Sequence, residues 1–144
     1  MLRFEHLGVV VEDLDAAVDF FLMLGLEQEG RTTVEGEVVD RINGLDGVRA
    51  EVVILRAPDG GFALELAKYH SHPDSEGVQA LPANRLGYRH LLFEVSDVNA
   101  MVDRLAEKGF GLVGEVQDYG TSWRLVYVRG PEGLIIELAE KLGA

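Results

Sequence analysis

Short apolar runs alternate with turn-forming residues along this chain, and the apolar spacing changes period in a repeating order. Residues 4–11 are apolar or alternate until Glu12-Asp13, which predicts a buried strand ending in a turn. Ala16, Ala17, Phe20, Phe21 and Leu24 then recur at helical intervals. A helix is expected through about Leu24, capped by Asp13 or Asp15 and stopped by Gly25. Three strands are expected around 34–42, 50–56 and 62–68, with turns at Asn43-Gly44, Asp46-Gly47 and Pro58-Asp59-Gly60-Gly61. Residues 69–87 break the pattern with Pro73, Gly77, Pro82 and Gly87 and read as a connector. The plan then repeats: strand 88–95, helix about 97–108 closed by Gly109, and strands near 111–117, 122–129 and 133–139.

The repetition extends to individual residues. Phe4-Glu5-His6-Leu7-Gly8-Val9-Val10-Val11-Glu12-Asp13 is matched, 84 positions on, by Tyr88-Arg89-His90-Leu91-Leu92-Phe93-Glu94-Val95-Ser96-Asp97, and the match runs on through Asp19/Asp103 to Gly25/Gly109. Arg56-Ala57-Pro58-Asp59-Gly60 and the strand 62–67 are matched by Arg129-Gly130-Pro131-Glu132-Gly133 and the strand 134–139. The chain is therefore α+β, two tandem β-α-β-β-β modules in one domain: module one 1–68, connector 69–87, module two 88–144. Neither module can bury both faces of its strands alone, so the two are expected to pair.

Each module carries one histidine near its start and one glutamate near its end: His6 and Glu65, then His90 and Glu137. Strand side chains alternate faces. Phe62, Leu64 and Leu66 therefore share one face and Ala63, Glu65 and Ala67 the other; Leu134, Ile136 and Leu138 oppose Ile135, Glu137 and Ala139 in the same way. Gly8 leaves room beside His6. An ionised carboxylate in an apolar strand costs several kcal/mol unless a cation or strong donors compensate. Imidazole and carboxylate suit one divalent metal ion (Ni, Co, Zn, Mn or Fe), and four protein donors leave room for water or substrate. The plainer reading is that duplication copied structural residues and that the glutamates sit at solvated strand ends.

Composition narrows the partners. At 144 residues with 47% hydrophobic and 26% charged residues, the chain has an ordinary globular balance. It has no cysteine, which excludes thiolate ligands and disulfides, and it begins without a secretory pattern, so a cytoplasmic location is expected. A net charge of -12 disfavours nucleic acid and anionic membrane. Ten of the 13 basic residues are arginine, a bias suited to carboxylate or phosphate recognition or simply to solvated surface.

These residues resemble the vicinal oxygen chelate superfamily, which includes glyoxalase I, methylmalonyl-CoA epimerase, extradiol dioxygenases and fosfomycin- and bleomycin-resistance proteins, and the resemblance covers essentially the whole chain. It implies a cup-shaped, eight-stranded mixed sheet around one metal held by His6, Glu65, His90 and Glu137. A glutamate at position 65 resembles the glyoxalase I-like branch, where epimerases usually carry glutamine. The resemblance implies a metal-dependent isomerase or lyase (lactoylglutathione lyase-like or epimerase-like) that stabilises the enediolate of a small carbonyl or thioester substrate, with Glu137 or Glu65 as base. It also implies a homodimer. Alternatives are an extradiol-type dioxygenase using His6, His90 and Glu137, and a non-catalytic small-molecule-binding or drug-resistance protein.

Tyr88, Arg89, Tyr119, Trp123 and Arg124 are candidates for lining a substrate cavity, although aromatic residues in strands are commonly core. His70-Ser71-His72 offers a His-x-His pair, but its place beside Pro73 suits a solvated loop or a pocket rim. Glu94 shares the face of His90 and reads as a strand-end residue. No phosphate-binding loop or hydrolase triad is recognisable.

Overall fold

A computed structural model describes residues 1–143. It has eight strands and three helices, in two compact units that divide between Gly77 and Val78. The number of strands is the expected eight, arranged as two four-stranded mixed sheets, one in each unit.

In the first unit, β1 (His6–Val10) pairs in parallel with β4 (Ala63–Tyr69). Antiparallel pairing then continues to β3 (Arg49–Arg56) and β2 (Glu27–Glu35), giving the order β1-β4-β3-β2. Helix α1 (Leu14–Leu24) packs on one face of β3 and β4. Phe20 and Phe21 from the helix and Val53, Leu55, Leu64 and Leu66 from the sheet are all buried there. Each such aliphatic or aromatic side chain contributes about 1.5–3 kcal/mol when taken out of water.

The second unit repeats the arrangement as β5-β8-β7-β6. Its strands are β5 (His90–Glu94), β6 (Gln117–Tyr119), β7 (Trp123–Arg129) and β8 (Ile135–Lys141), with α3 (Val98–Glu107) packed on β7 and β8. The core of this unit includes Val98, Leu105, Val126, Val128, Ile136 and Leu138. The two helices are capped identically. Asp13 accepts from the Ala16 amide at 3.0 Å and Asp97 from the Ala100 amide at 2.9 Å. Of the two expected caps for the first helix, Asp13 is the one used.

Two expectations are corrected. The strand expected at 34–42 does not exist: β2 ends at Glu35 and a short helix, α2 (Glu37–Asn43), follows. Gly36, at φ 113°, turns the chain out of the strand, and Asn43 closes the helix by donating to the Val39 carbonyl. β2 escaped notice because it is an edge strand exposed along nearly all its length, so its residues show no apolar alternation. Strand 111–117 shrinks to Gln117–Tyr119 plus a single bridge between Leu112 and Val128. The helix expected at about 97–108 is present as α3, which ends at Glu107 with Lys108 as its cap and Gly109 just beyond at φ 89°.

Two turns fix the strands that matter for the site. Asp40 in α2 accepts from the Gly47 amide at 2.9 Å and the Val48 amide at 2.7 Å, which ties the helix to the start of β3. These two bonds, Gly47 first, hold the Asp40 carboxyl below the ordinary aspartate value. Gly133 precedes β8 at φ 78°, and a Cβ there would lie 2.7 Å from the Ala80 backbone.

Gly133→Ala combines left-handed strain with overpacking, so a loss of roughly 2 kcal/mol or more is expected in denaturant unfolding. Removing the α3 cap by Asp97→Ala is expected to cost about 1 kcal/mol in the same assay. Asp40 stabilises the fold above its unfolded pKa, and that contribution disappears as pH falls through its lower folded pKa. Asp40→Ala should therefore melt below the parent at neutral pH, and the gap should narrow on acidification below the ordinary aspartate range.

Candidate functional site

Parallel pairing of the first and last strand in each unit brings a histidine beside a glutamate. In the first unit His6 stands opposite Ala63 and Gly8 opposite Glu65. The two polar side chains thus share the face turned away from α1, and the missing side chain of Gly8 leaves the space across from Glu65 open. His6 Nε2 lies 3.5 Å from Glu65 Oε2. In the second unit Leu92 stands opposite Glu137, and His90 Nε2 lies 3.2 Å from Glu137 Oε1. His6 is thus brought to Glu65 and His90 to Glu137, one pair within each unit.

The two glutamates differ in environment. The Glu137 side chain is 12% exposed, whereas that of Glu65 is 34% exposed. Among the described residues, no lysine or arginine forms an ion pair with either one. A carboxylate as buried as Glu137 needs a compensating donor or cation, and His90 is the group placed to supply or share one. The donor chemistry of each pair, one imidazole nitrogen and one carboxylate, fits a borderline divalent cation. No group of three or more His, Asp or Glu side chains able to hold a metal forms among the described residues, so each unit offers a pair.

The surroundings of the two histidines are not equivalent. His6 Nδ1 contacts the Glu5 carboxylate, which also accepts from Arg56 Nη2 at 3.0 Å. Arg56 bonds Glu29 as well, through both Nε and Nη2. The bond to His6, then that to Arg56, hold the Glu5 carboxyl below the usual range. Arg56 does the same to Glu29, and both carboxylates raise the Arg56 guanidinium. His90 instead has the Tyr127 ring beside it, with centroids 4.9 Å apart. Tyr127 stands opposite Glu137 across β7 and β8. Sequence reasoning missed both Glu5 and Tyr127. Tyr127 lies two residues before Arg129 in the repeated motif, but only strand register reveals its neighbour.

The candidate substrate residues separate. Trp123 and Tyr119 stand opposite each other and belong to the Glu137 face by register; Tyr119 is exposed and Lys141 Nζ lies 5.6 Å over the Trp123 ring. Arg124 belongs to the opposite face, where it bonds Asp118 and approaches Glu140. Tyr88 is exposed ahead of β5, and Arg89 buries its Nε with no hydrogen-bond partner. The His70-x-His72 pair does not chelate: His70 faces Glu51 at 3.4 Å, and His72 meets the Asp46 carbonyl at 2.6 Å. His70 lines a cavity of about 380 Å³ with Glu12, Arg31, Glu51 and Lys68, a pocket-rim place. Glu94 is exposed on the His90 face.

Residues 3–138 match the family described as the Glyoxalase/Bleomycin resistance protein/Dioxygenase superfamily. No curated protein matches the chain. A crystal structure of a glyoxalase family protein from Bacillus cereus is 43% identical, with a TM-score of 0.95 over 99% of this chain and 96% of that one. The trypanothione-dependent glyoxalase I of Leishmania major is 19% identical, with a TM-score of 0.66 over 97% of this chain and 87% of that one. TnmS3, an antibiotic-binding protein from a Streptomyces species, is 19% identical, with a TM-score of 0.61 over 98% and 97%. The last two likenesses are of fold. With its match running almost end to end and a relative this similar, the chain belongs to the Glyoxalase/Bleomycin resistance protein/Dioxygenase superfamily.

Proposed function

We propose that this protein is a metal-dependent isomerase or lyase of the glyoxalase I-like type, acting on a small carbonyl compound such as a thiohemiacetal or thioester. One observation carries the reading: the His–Glu pair is built twice, at 3.5 Å and 3.2 Å, from equivalent strands. Members of the superfamily typically bind a divalent metal. Each unit supplies two donors, and His6, Glu65, His90 and Glu137 are the residues we assign to the metal. When bound, the metal supplies Lewis acidity to neighbouring oxygens of the substrate.

The chain's own residues then divide the work. Both histidines donate through Nε2, the nitrogen that faces the glutamate in each pair. Glu137 is the structural donor, because its buried carboxylate is costly to leave without a cation. Glu65 is the base: partly solvated, it can stand free as a carboxylate, take the proton from the carbon beside the carbonyl on one oxygen, and return it to the neighbouring carbon. Trp123, Tyr119 and Tyr127 offer aromatic surface on the Glu137 face for the body of the substrate. We read the protein as a cytoplasmic homodimer working on a small molecule, and its charge of -12 supports exclusion of nucleic acid.

Chelator-stripped protein titrated with nickel, cobalt, zinc, manganese or iron(II) should take up one ion per chain. Uptake should disappear in His6→Ala and Glu137→Ala, and an unchanged stoichiometry in both would sink the metal assignment. Glu65→Gln should keep the ion but lower turnover by roughly 10²–10⁴-fold. Proton exchange at the substrate carbon, followed by NMR in D2O, should fall with it. Oxygen consumption with a catechol, in the absence of such exchange, would assign the protein to dioxygenase chemistry instead.

A further inference from the structure

We propose that Glu5 is a positioning residue for His6: clamped by Arg56, it keeps the imidazole proton on Nδ1 and leaves Nε2 as the free donor atom facing Glu65. The geometry supplies each part. An ionised carboxylate only accepts, so the Glu5 contact requires a proton on Nδ1. Nε2, which would otherwise hold that proton against Glu65, is 3.5 Å from the Glu65 oxygen, so the two carboxylates compete for one ring proton.

Glu5 does not compete as a loose surface group. Arg56 is 21% exposed, and it grips Glu5 with Nη2 while Glu29 anchors its Nε and Nη2. The register explains how a β3 residue reaches the start of β1. Arg56 stands opposite Ala63, which stands opposite His6, and the small alanine leaves the lane between them open.

The second unit repeats the frame but not the device. Arg129, Ile135 and His90 occupy the same three register positions. There the bulkier Ile135 fills the lane, and Arg129 Nη1 donates to the Leu81 and Gly133 carbonyls. Arg89 stands where Glu5 stands in the first copy. Copying of structural residues therefore does not account for Glu5. Outer carboxylates of this kind fix ring orientation and raise ligand basicity.

The role as a metal-ligand positioner rests on the function proposed above, whereas the proton placement is testable without metal. Long-range 1H–15N NMR of metal-free protein, at a pH where the ring is neutral, should show the Nδ1–H tautomer at His6. Glu5→Ala should move the proton to Nε2, and Glu5→Gln, whose amide oxygen still accepts, should restore Nδ1–H. His90 should not change in either variant. Chelator competition with zinc alone should show Glu5→Ala weakening binding about 10–100-fold, with Glu5→Gln weakened less. An unaltered His6 tautomer in Glu5→Ala would overturn the proposal, as would a tautomer switch with unchanged zinc affinity. If the parent protein binds no zinc yet the switch occurs, the metal reading fails and the Glu5–His6 arrangement stands. Glu5 is itself 43% exposed, so both variants should fold, and the amide spectrum verifies it.

Discussion

Parallel pairing between the opening and closing strands of each unit is the constraint on which the rest depends. Side chains on a strand alternate, so one face of β4 or β8 is committed to the core under its helix and the other is free for chemistry. Fixing β1 against β4, with Gly8 across from Glu65, decides that His6 and Glu65 meet on the free face. A slip of one residue would turn the histidine toward the helix and the apolar residues outward. Leu64 and Leu66, buried under α1, hold the register as surely as the backbone bonds do.

The two units keep the donors and diverge around them. The first has a carboxylate behind its histidine, an exposed nine-residue edge strand and an added helix. The second has a tyrosine ring against its histidine, a more deeply buried glutamate and an edge strand of three residues. Ile54 faces Glu65 where Tyr127 faces Glu137. The same frame thus offers one wetter, charge-supported pair and one drier, aromatic-lined pair.

Much of this was legible in the order of residues. The internal repeat pointed to His6, Glu65, His90 and Glu137, because duplication preserves spacing that packing alone does not require. Both helix starts were readable from Asp13 and Asp97, whose caps are local. The edge strand β2 was not, since a strand wetted on both faces has no reason to alternate. The bond between Glu5 and Arg56 joins residues 51 positions apart and depends on strand order, which hydropathy does not encode. Arg124 and Trp123 are both cavity-lining candidates in the sequence, yet adjacent residues on a strand point to opposite sides.

The order of strands places each histidine on an outer member of its sheet and each glutamate on an inner one. An outer strand is bonded on one flank alone and opens at lower free energy than a strand held on both. The imidazoles therefore sit on backbone bonded on one flank and the carboxylates on backbone bonded on both. Brief fraying of a five-residue ribbon can therefore move an imidazole without disturbing the packed layer behind it.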